Sequence, residues 1–368
     1  MKEIQAAVLW PGKRDLALEQ LAIEAPREGE VLVRVVATGI CHTDMVLRDA
    51  GITPRPVVLG HEGAGVVEEV GPGVSGFAAG DRVAISFAAC GSCRHCEQDV
   101  PGYCEQFFPL NFFGARLDGS CGLEKDGEKV HSHVFGQSSF ASHCLCPAAS
   151  LVKVEEDFPL ELAGPFGCGF QTGAGAVLNS LKVPAGASIA VLGAGAVGLA
   201  AVAAARHIAG AATVIAVDIH QERLEVAAAV GASHSLVGTA DDLQEQVMAA
   251  SPGGVDYVID TTGKTAFAER WVPLLAARGT LALVASYPPE DAFSFNTVSL
   301  MTSGKKIVGV MEGDSDIVNF IPSLMAHFQA GRFPVDKLVR FYDLAEINQA
   351  IEDSERGATI KAIVRMPD

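Results

Sequence analysis

The sequence predicts an α/β protein of two domains: a β-rich, barrel-like part with long loops, and a doubly wound parallel sheet. Three observations lead there. The first half carries short β-branched runs separated by Gly and Pro. From about residue 185, strand and helix patterns alternate, which implies a parallel sheet covered on both faces. The 368 residues leave room for two domains of ordinary size.

In the first part, Val31–Val36 (VLVRVV) and Val66–Val70 (VVEEV) read as strands, the second closed by the turn Gly71-Pro72-Gly73. Turn signals recur at Gly80-Asp81 and Pro101-Gly102, and residues 90–147 are largely irregular. In the second part, Ile189–Leu192 is a short apolar strand, followed by GAGAVG and an Ala-rich helix from Ala196 to about Ile208. A strand at Val214–Val217, a helix from Gln221 to Val230 stopped by Gly231, and a strand at Tyr257–Ile259 follow. A helix near 265–276 and a strand at Thr280–Ala285 complete the series. Beyond about residue 315, the stretches IVNFIPSLMAHF, LVRFY, LAEINQAIEDS and TIKAIVRM return to mixed helix and strand, and this tail is expected to rejoin the first domain.

Composition excludes several functions. The balance of 27 Lys+Arg against 44 Asp+Glu gives a net charge of −17. Nucleic acid and anionic membrane surfaces both need a concentrated basic face, so neither is an expected partner. With 49% hydrophobic and 19% charged residues, the chain is not a disordered one. Residues 162–181 and 183–205 are uncharged and long enough to span a bilayer. Pro184, Gly186, Gly193, Gly195 and Gly198 break any single helix in the second stretch, and Ala and Gly dominate it. The N-terminus has no sustained apolar core, so a cytoplasmic location is expected. Nine cysteines, an odd and clustered set, do not suggest a disulfide framework.

Gly193-Ala-Gly195-Ala-Val-Gly198 matches G-x-G-x-x-G between a strand and a helix, and Asp218 ends the next strand twenty residues past Gly198. Gly193 allows the tight turn, Gly195 lets a pyrophosphate approach the backbone, and Gly198 lets helix and sheet pack closely. The helix N-terminus offers N–H groups and a positive dipole end to the phosphates. Asp218 suits the two adenosine ribose hydroxyls and would repel a 2′-phosphate, which favours NAD over NADP. Arg223 is expected to flank the ribose.

Cys90-x2-Cys93-x2-Cys96-x7-Cys104 places four thiols within fifteen residues. They can close a tetrahedron around zinc and leave no position for substrate, so a structural zinc is expected. Unligated thiols or an iron–sulfur cluster would fit the same spacing, although hydride chemistry has no evident use for a cluster. A second set is dispersed: Cys41-His-Thr-Asp44, Gly60-His61-Glu62 and Gly167-Cys168-Gly169. Spacing alone does not connect these residues.

Together, the Gly-His-Glu triplet, the four-cysteine lobe and the glycine motif resemble, in order and approximate spacing, the zinc-dependent medium-chain alcohol dehydrogenases. The stretches FGQSSFASH (135–143), GCGFQTGAGAVLNSL (167–181) and EGDSD (312–316) are most similar to the aryl-alcohol and geraniol branch. The resemblance implies a GroES-like catalytic domain at 1–169 and 314–368, with its zinc lobe at 88–106, and an NAD-binding Rossmann domain at 170–313. It implies a catalytic zinc on Cys41, His61 and Cys168, with Glu62 as a nearby carboxylate able to enter the metal sphere and Asp44 orienting His61. Two zincs per chain and NAD are therefore the expected cofactors. Thr43 is expected to take the alcohol proton and pass it to the nicotinamide ribose, with Val197 and Thr172 lining the nicotinamide. Lys361 is expected near the pyrophosphate. The activity implied is reversible oxidation of a primary aromatic or allylic alcohol to its aldehyde, with hydride passing to NAD, in a homodimer or homotetramer.

One departure stands out. Many relatives end the proton relay at a histidine where this chain has Met45 and Val46. His42 lies where other members of the family often place an arginine against the cofactor pyrophosphate, and it is the expected phosphate contact and relay terminus, with direct transfer to water as the rival route. Phe107, Phe108, Phe112, Phe113 and Phe140, with Ser86 and Phe87, are the candidate pocket residues. Aliphatic, polyol or glutathione-adduct substrates are the alternatives within the family. Outside it stands a non-catalytic protein that binds zinc and nucleotide.

Overall fold

A single ten-residue strand, Glu30–Gly39, organises the first part of the molecule. Its β-branched run is buried at every position except Arg34 and, in part, Val36, because neighbours cover both of its faces and both of its edges. Along one edge it pairs antiparallel with Gly63–Val70. Along the other it pairs first with His143–Pro147 and then with Lys361–Arg365. The computed structural model describes residues 1–367 and divides into two compact units. The first holds residues 1–168, Asp316–Met325 and the chain from Val339 onward; the second holds Gly169–Ser315 and Ala326–Leu338.

The organising strand sits inside a seven-stranded sheet that runs Leu151–Lys153, Arg82–Ile85, Gly63–Val70, Glu30–Gly39, Lys361–Arg365, Val339–Asp343, with His143–Pro147 beside the organising strand. A five-stranded sheet of Val57–Val58, Lys2–Leu9, Ala17–Ile23, Leu123–Lys125 and Glu128–Val130 completes the barrel-like unit. Register then decides what meets at the strand's end. Thr38 faces Gly63 and Gly39 faces Ile363. Residues just past Gly39, just before Gly63 and at the start of the last strand are thereby neighbours.

The second unit is a six-stranded parallel sheet in the order His234–Val237, Thr213–Asp218, Ser188–Leu192, Val255–Asp260, Leu275–Leu283, Lys306–Gly309. This is the doubly wound order expected of a Rossmann sheet. Two expectations need correction. The helix placed at 265–276 covers only Thr265–Glu269, because Pro273 lies ahead and the Trp271 side chain, 1% exposed, turns into the core. The following strand starts early, at Leu275. The tail also does not return wholly to the first unit. Ala326–Leu338 belongs to the second, where fully buried Phe333 meets Phe170 edge-on at 6.3 Å and Lys337 Nζ donates to the Ala229 carbonyl. Among the described residues, no helix is long and apolar enough to cross a membrane.

Glu30 begins the organising strand and is itself buried. It accepts from Arg116 Nε at 2.5 Å and Nη2 at 2.9 Å, and from the Arg27 amide at 3.0 Å. Burial works against its charge, but the nearby His133, 3.8 Å away, and the hydrogen bonds from Arg116 outweigh that and hold its carboxyl far below the ordinary 4.5. Such a group adds stability that is fully present above the unfolded value and is lost as pH falls toward the folded one. Glu30→Gln should therefore cost about 1–3 kcal/mol at pH 7, by leaving Arg116 under-satisfied. Its deficit relative to the parent should shrink below pH 4.5. Urea unfolding at pH 7 and pH 3.5 measures both; a deficit constant with pH would contradict this account.

Candidate metal centre and nucleotide loop

The chain crosses from Gly39 to Cys41 and enters the helix His42–Ala50, capped by Asp44. The Asp44 carboxylate accepts from the Cys41 amide (3.0 Å), the Gly60 amide (3.1 Å) and His61 Nδ1 (2.9 Å). One acid thus ties the helix start, the turn before His61 and the imidazole together. Because Nδ1 is committed to Asp44, His61 presents Nε2, which is buried and has no hydrogen-bond partner. Cys168 arrives on the turn Gly164–Gly167, where the backbone approaches too closely for a side chain. A Cβ at Gly164 would lie 2.0 Å from the Glu62 carbonyl oxygen, and one at Gly167 would lie 2.1 Å from that of Ile85. Ser86 Oγ, one of the expected pocket groups, instead donates to the Gly167 carbonyl at 2.6 Å and braces this turn.

The ligating atoms of Cys41, His61, Glu62 and Cys168 lie within 4.8 Å of one another. The Cys41 thiol is held well below its ordinary 9.0 by Cys168 and by the charge of His61, against the opposing effect of burial. Two sulfurs, one imidazole nitrogen left without a partner and a carboxylate suit zinc. Three of them would leave a position open beside the carboxylate. Thr43 Oγ1 is 3.8 Å from Cys41 Sγ, and His42 is exposed at the first residue of its helix.

Lys361 is a correction. It is 2% exposed, and its ammonium donates to Glu62 Oε1 (2.8 Å), Glu62 Oε2 (2.7 Å) and the Ile40 carbonyl (3.0 Å). Its three protons are used inside the unit, so it has none to offer a pyrophosphate. Burial disfavours its charge, yet the pull of Glu62 and then Cys41 holds it above the ordinary 10.5. Gly39 makes room for the pair, since a Cβ there would lie 2.0 Å from Glu62 Oε2.

Two groups escaped the sequence reading except as letters of a shared stretch. Gln137 donates to the His61 carbonyl and accepts from the Gly63 amide, both at 2.9 Å. The Phe135 ring stacks on the His61 imidazole at 4.5 Å and 26°. From Phe135 the rings continue to Phe112 (5.2 Å), Phe108 (4.8 Å farther) and Phe113 (5.6 Å), with Phe107 between Phe87 and Phe135. Phe108 and Phe113 end this ladder at the surface. Phe140 does not belong to it; it is fully buried core, packed against Gly60.

In the lobe, the sulfurs of Cys90, Cys93, Cys96 and Cys104 also lie within 4.8 Å of one another. The amides of Cys90 and Gln106 point at Cys104 Sγ from 3.2 and 3.4 Å, as donors to a ligating thiolate do. A backbone hydrogen bond from Ser92 brings Cys90 down to about 6, while burial and then Cys93 push Cys96 up to about 12. All four can ionise together only around a cation.

In the second unit, Gly193 turns at φ +94° and a Cβ on Gly198 would lie 1.8 Å from the Gly193 carbonyl oxygen. A Cβ on Gly195 would meet nothing within 4 Å, which leaves open space where a pyrophosphate is expected. Thr261 Oγ1 braces the loop by donating to Leu192 and Gly193, a role its place after a strand hints at. Asp218 accepts from the Ala194 amide at 2.6 Å and the His220 amide at 2.9 Å, which keeps its carboxylate at the loop's edge. Arg223 stands partly buried one turn into the next helix. Val197 is half-buried in the first turn after the glycines, and the helix bearing Thr172 packs there through Gly173, whose Cβ would meet the Val197 carbonyl oxygen at 2.0 Å. Thr172 Oγ1 donates to Glu312 at 3.3 Å.

Comparison with known proteins settles the family. "Alcohol dehydrogenase GroES-like domain" matches residues 27–156 and "Zinc-binding dehydrogenase" matches residues 196–326. A geraniol dehydrogenase of Castellaniella defragrans is 41% identical over 362 residues, covering 98% of this chain and 97% of that protein. The chain belongs to the zinc-type medium-chain alcohol dehydrogenases. Among solved structures, a benzyl alcohol dehydrogenase from Acinetobacter calcoaceticus superposes with a TM-score of 0.96 at 42% identity, over 100% of both chains. An alcohol dehydrogenase zinc-binding domain protein from Burkholderia ambifaria gives 0.97 at 48% identity, again over 100% of both. Membership in this dehydrogenase family supports zinc and a nicotinamide cofactor.

The buried pair offers a direct check. Lys361→Met should destabilise by about 3–5 kcal/mol, because it leaves Glu62 buried without its cation. Adding Glu62→Gln to Lys361→Met should recover much of that loss in urea unfolding. A Lys361→Met protein as stable as the parent would show that the pair is not held as described.

Proposed function

We propose that this enzyme oxidises primary aromatic or allylic alcohols to aldehydes, reversibly, with hydride passing to NAD. The observation that carries the proposal is the buried convergence of Cys41, His61 and Cys168 around an imidazole nitrogen without a partner, joined through Phe135 to a ladder of aromatic rings. Those three residues would hold the catalytic zinc, with Glu62 beside it, and Cys90, Cys93, Cys96 and Cys104 a structural one. Bound there, zinc supplies Lewis acidity that makes an alcohol easier to deprotonate.

The remaining roles belong to the chain. Asp44 fixes the tautomer and direction of His61, and Lys361 holds the Glu62 carboxylate. Thr43 Oγ1, beside Cys41, takes the alcohol proton. With Met45 and Val46 unable to carry it onward, His42 or water completes the exit. Gly193, Gly195 and Gly198 bind the pyrophosphate, and Asp218 takes the ribose hydroxyls, flanked by Arg223. Val197 and Thr172 line the nicotinamide. The negative charge of Asp218 supports NAD over NADP. The ladder of aromatic rings supports an apolar aromatic or allylic substrate, in keeping with the geraniol and benzyl alcohol dehydrogenases to which the chain is similar. The outer edge of Lys306–Gly309, the last strand of its sheet, supports assembly as a homodimer or homotetramer. A cytoplasmic location is part of the same proposal, in keeping with a cysteine set that clusters as metal ligands.

Measuring kcat/KM for benzyl alcohol, geraniol, ethanol and sorbitol with each cofactor tests the proposal. Benzyl alcohol and geraniol should exceed ethanol by at least about a hundredfold, the scale that apolar contact provides. NAD should exceed NADP, and Asp218→Ser should narrow that preference. Metal analysis should find two zincs per chain and one in Cys168→Ser, with oxidation abolished. Sorbitol or ethanol as the best substrate would refute the substrate class.

A further inference from the structure

We infer that Phe135 is a positioning residue for His61: a strained turn holds its ring flat against the imidazole and so fixes the plane in which Nε2 faces the metal ligands. The inference rests on the reading of Cys41, His61 and Cys168 as a zinc site. Its first support is backbone conformation. Phe135 lies at φ +50°, between His133 at +70° and Ser138 at +57°, three non-glycine residues in the left-handed region within six positions. A bulky residue enters that region only when its surroundings compel it, and such strain gathers at functional sites.

The surroundings do compel it. Ser138 Oγ donates to the Val58 carbonyl at 2.6 Å and accepts from the Val134 amide at 3.0 Å. Ser132 Oγ pairs with His133 Nδ1 at 2.9 Å. Gln137, in the same turn, grips the backbone on both sides of Glu62. The product of these contacts is a ring 3% exposed, 4.5 Å from His61 and inclined by 26°. Asp44 fixes one atom of the imidazole, Nδ1, but a single hydrogen bond leaves the ring free to rock about that contact. Face-to-face packing by Phe135 removes this freedom. Behind Phe135 stand Phe112 and Phe107, so the ring cannot retreat.

The test is zinc release to a chromogenic chelator, followed as a time course on the full-length holoprotein. Cys168→Ser identifies which phase belongs to this site, and the four-cysteine lobe provides an internal control for folding. Phe135→Leu, which keeps bulk but not the flat face, should speed release of that zinc by about 10–100-fold and leave the lobe phase unchanged. Phe135→Tyr, which keeps the ring, should stay within about twofold of the parent. Should Phe135→Leu not fold, Phe135→Met serves in its place. Parent-like release from the ringless variant, or equal acceleration in Phe135→Tyr, overturns the inference while the zinc reading survives. A parent protein without any phase that Cys168→Ser removes overturns both.

Discussion

The register of Glu30–Gly39 against its two neighbours is the constraint on which the site depends. Pairing Thr38 with Gly63 brings His61 and Glu62 to the strand's end, and pairing Gly39 with Ile363 brings Lys361 to the same place. Cys41 follows two residues after the strand stops. A slip of one residue in either ladder would turn every side chain to the opposite face. It would also part Cys41 from His61. The heavy burial of the strand is therefore what makes the site possible, since a buried apolar pattern penalises any slip.

Charge sets the second requirement. Cys41, Cys168, Glu62 and Asp44 can each carry a negative charge, against the cationic Lys361 and a His61 imidazole that Asp44 and Cys41, against burial, hold toward its protonated form. Packed within one buried region, such an excess is costly unless a cation joins it. A divalent ion would nearly balance the set, while Lys361 holds the carboxylate oxygens at a defined place. The zinc-type chemistry of the family and the electrostatics of the cluster thus point the same way. The sequence exposes the members of this cluster but not its arithmetic, because the lysine lies 299 positions from its acid.

What the sequence made legible follows from how local each signal is. The glycine loop, its flanking strands and Asp218 form one continuous stretch, and the observed strands Ser188–Leu192 and Thr213–Asp218 lie within a residue of expectation. The four lobe cysteines are similarly local. Cys41, His61 and Cys168 became connected only through resemblance to a family, since no periodicity links residues so far apart. Family resemblance puts Lys361 near the phosphates; the register of its strand instead buries it against Glu62 and the Ile40 carbonyl. Phe140 lies in a loop expected near the cleft, yet Gly60 and the core claim it. The strained turn at 133–138 left no trace beyond its letters, because nothing in Phe or His announces a left-handed backbone.

The two candidate metal sites differ in what they ask of the fold. The lobe draws its four cysteines from fifteen consecutive residues, so closing it orders a short loop and little else. It buries little apolar surface of its own, and a metal there would stand in for a core. The other site draws on residues 41, 61 and 168, already brought together by strand register, by the Asp44 bridge and by glycines that admit backbone contact. Contacts within the chain hold these ligands together, and what those contacts leave to be fixed is angular: which way the imidazole faces, and where the Glu62 carboxylate rests. Asp44 and Phe135 act on the first of these and Lys361 on the second, three side chains buried around the ligands.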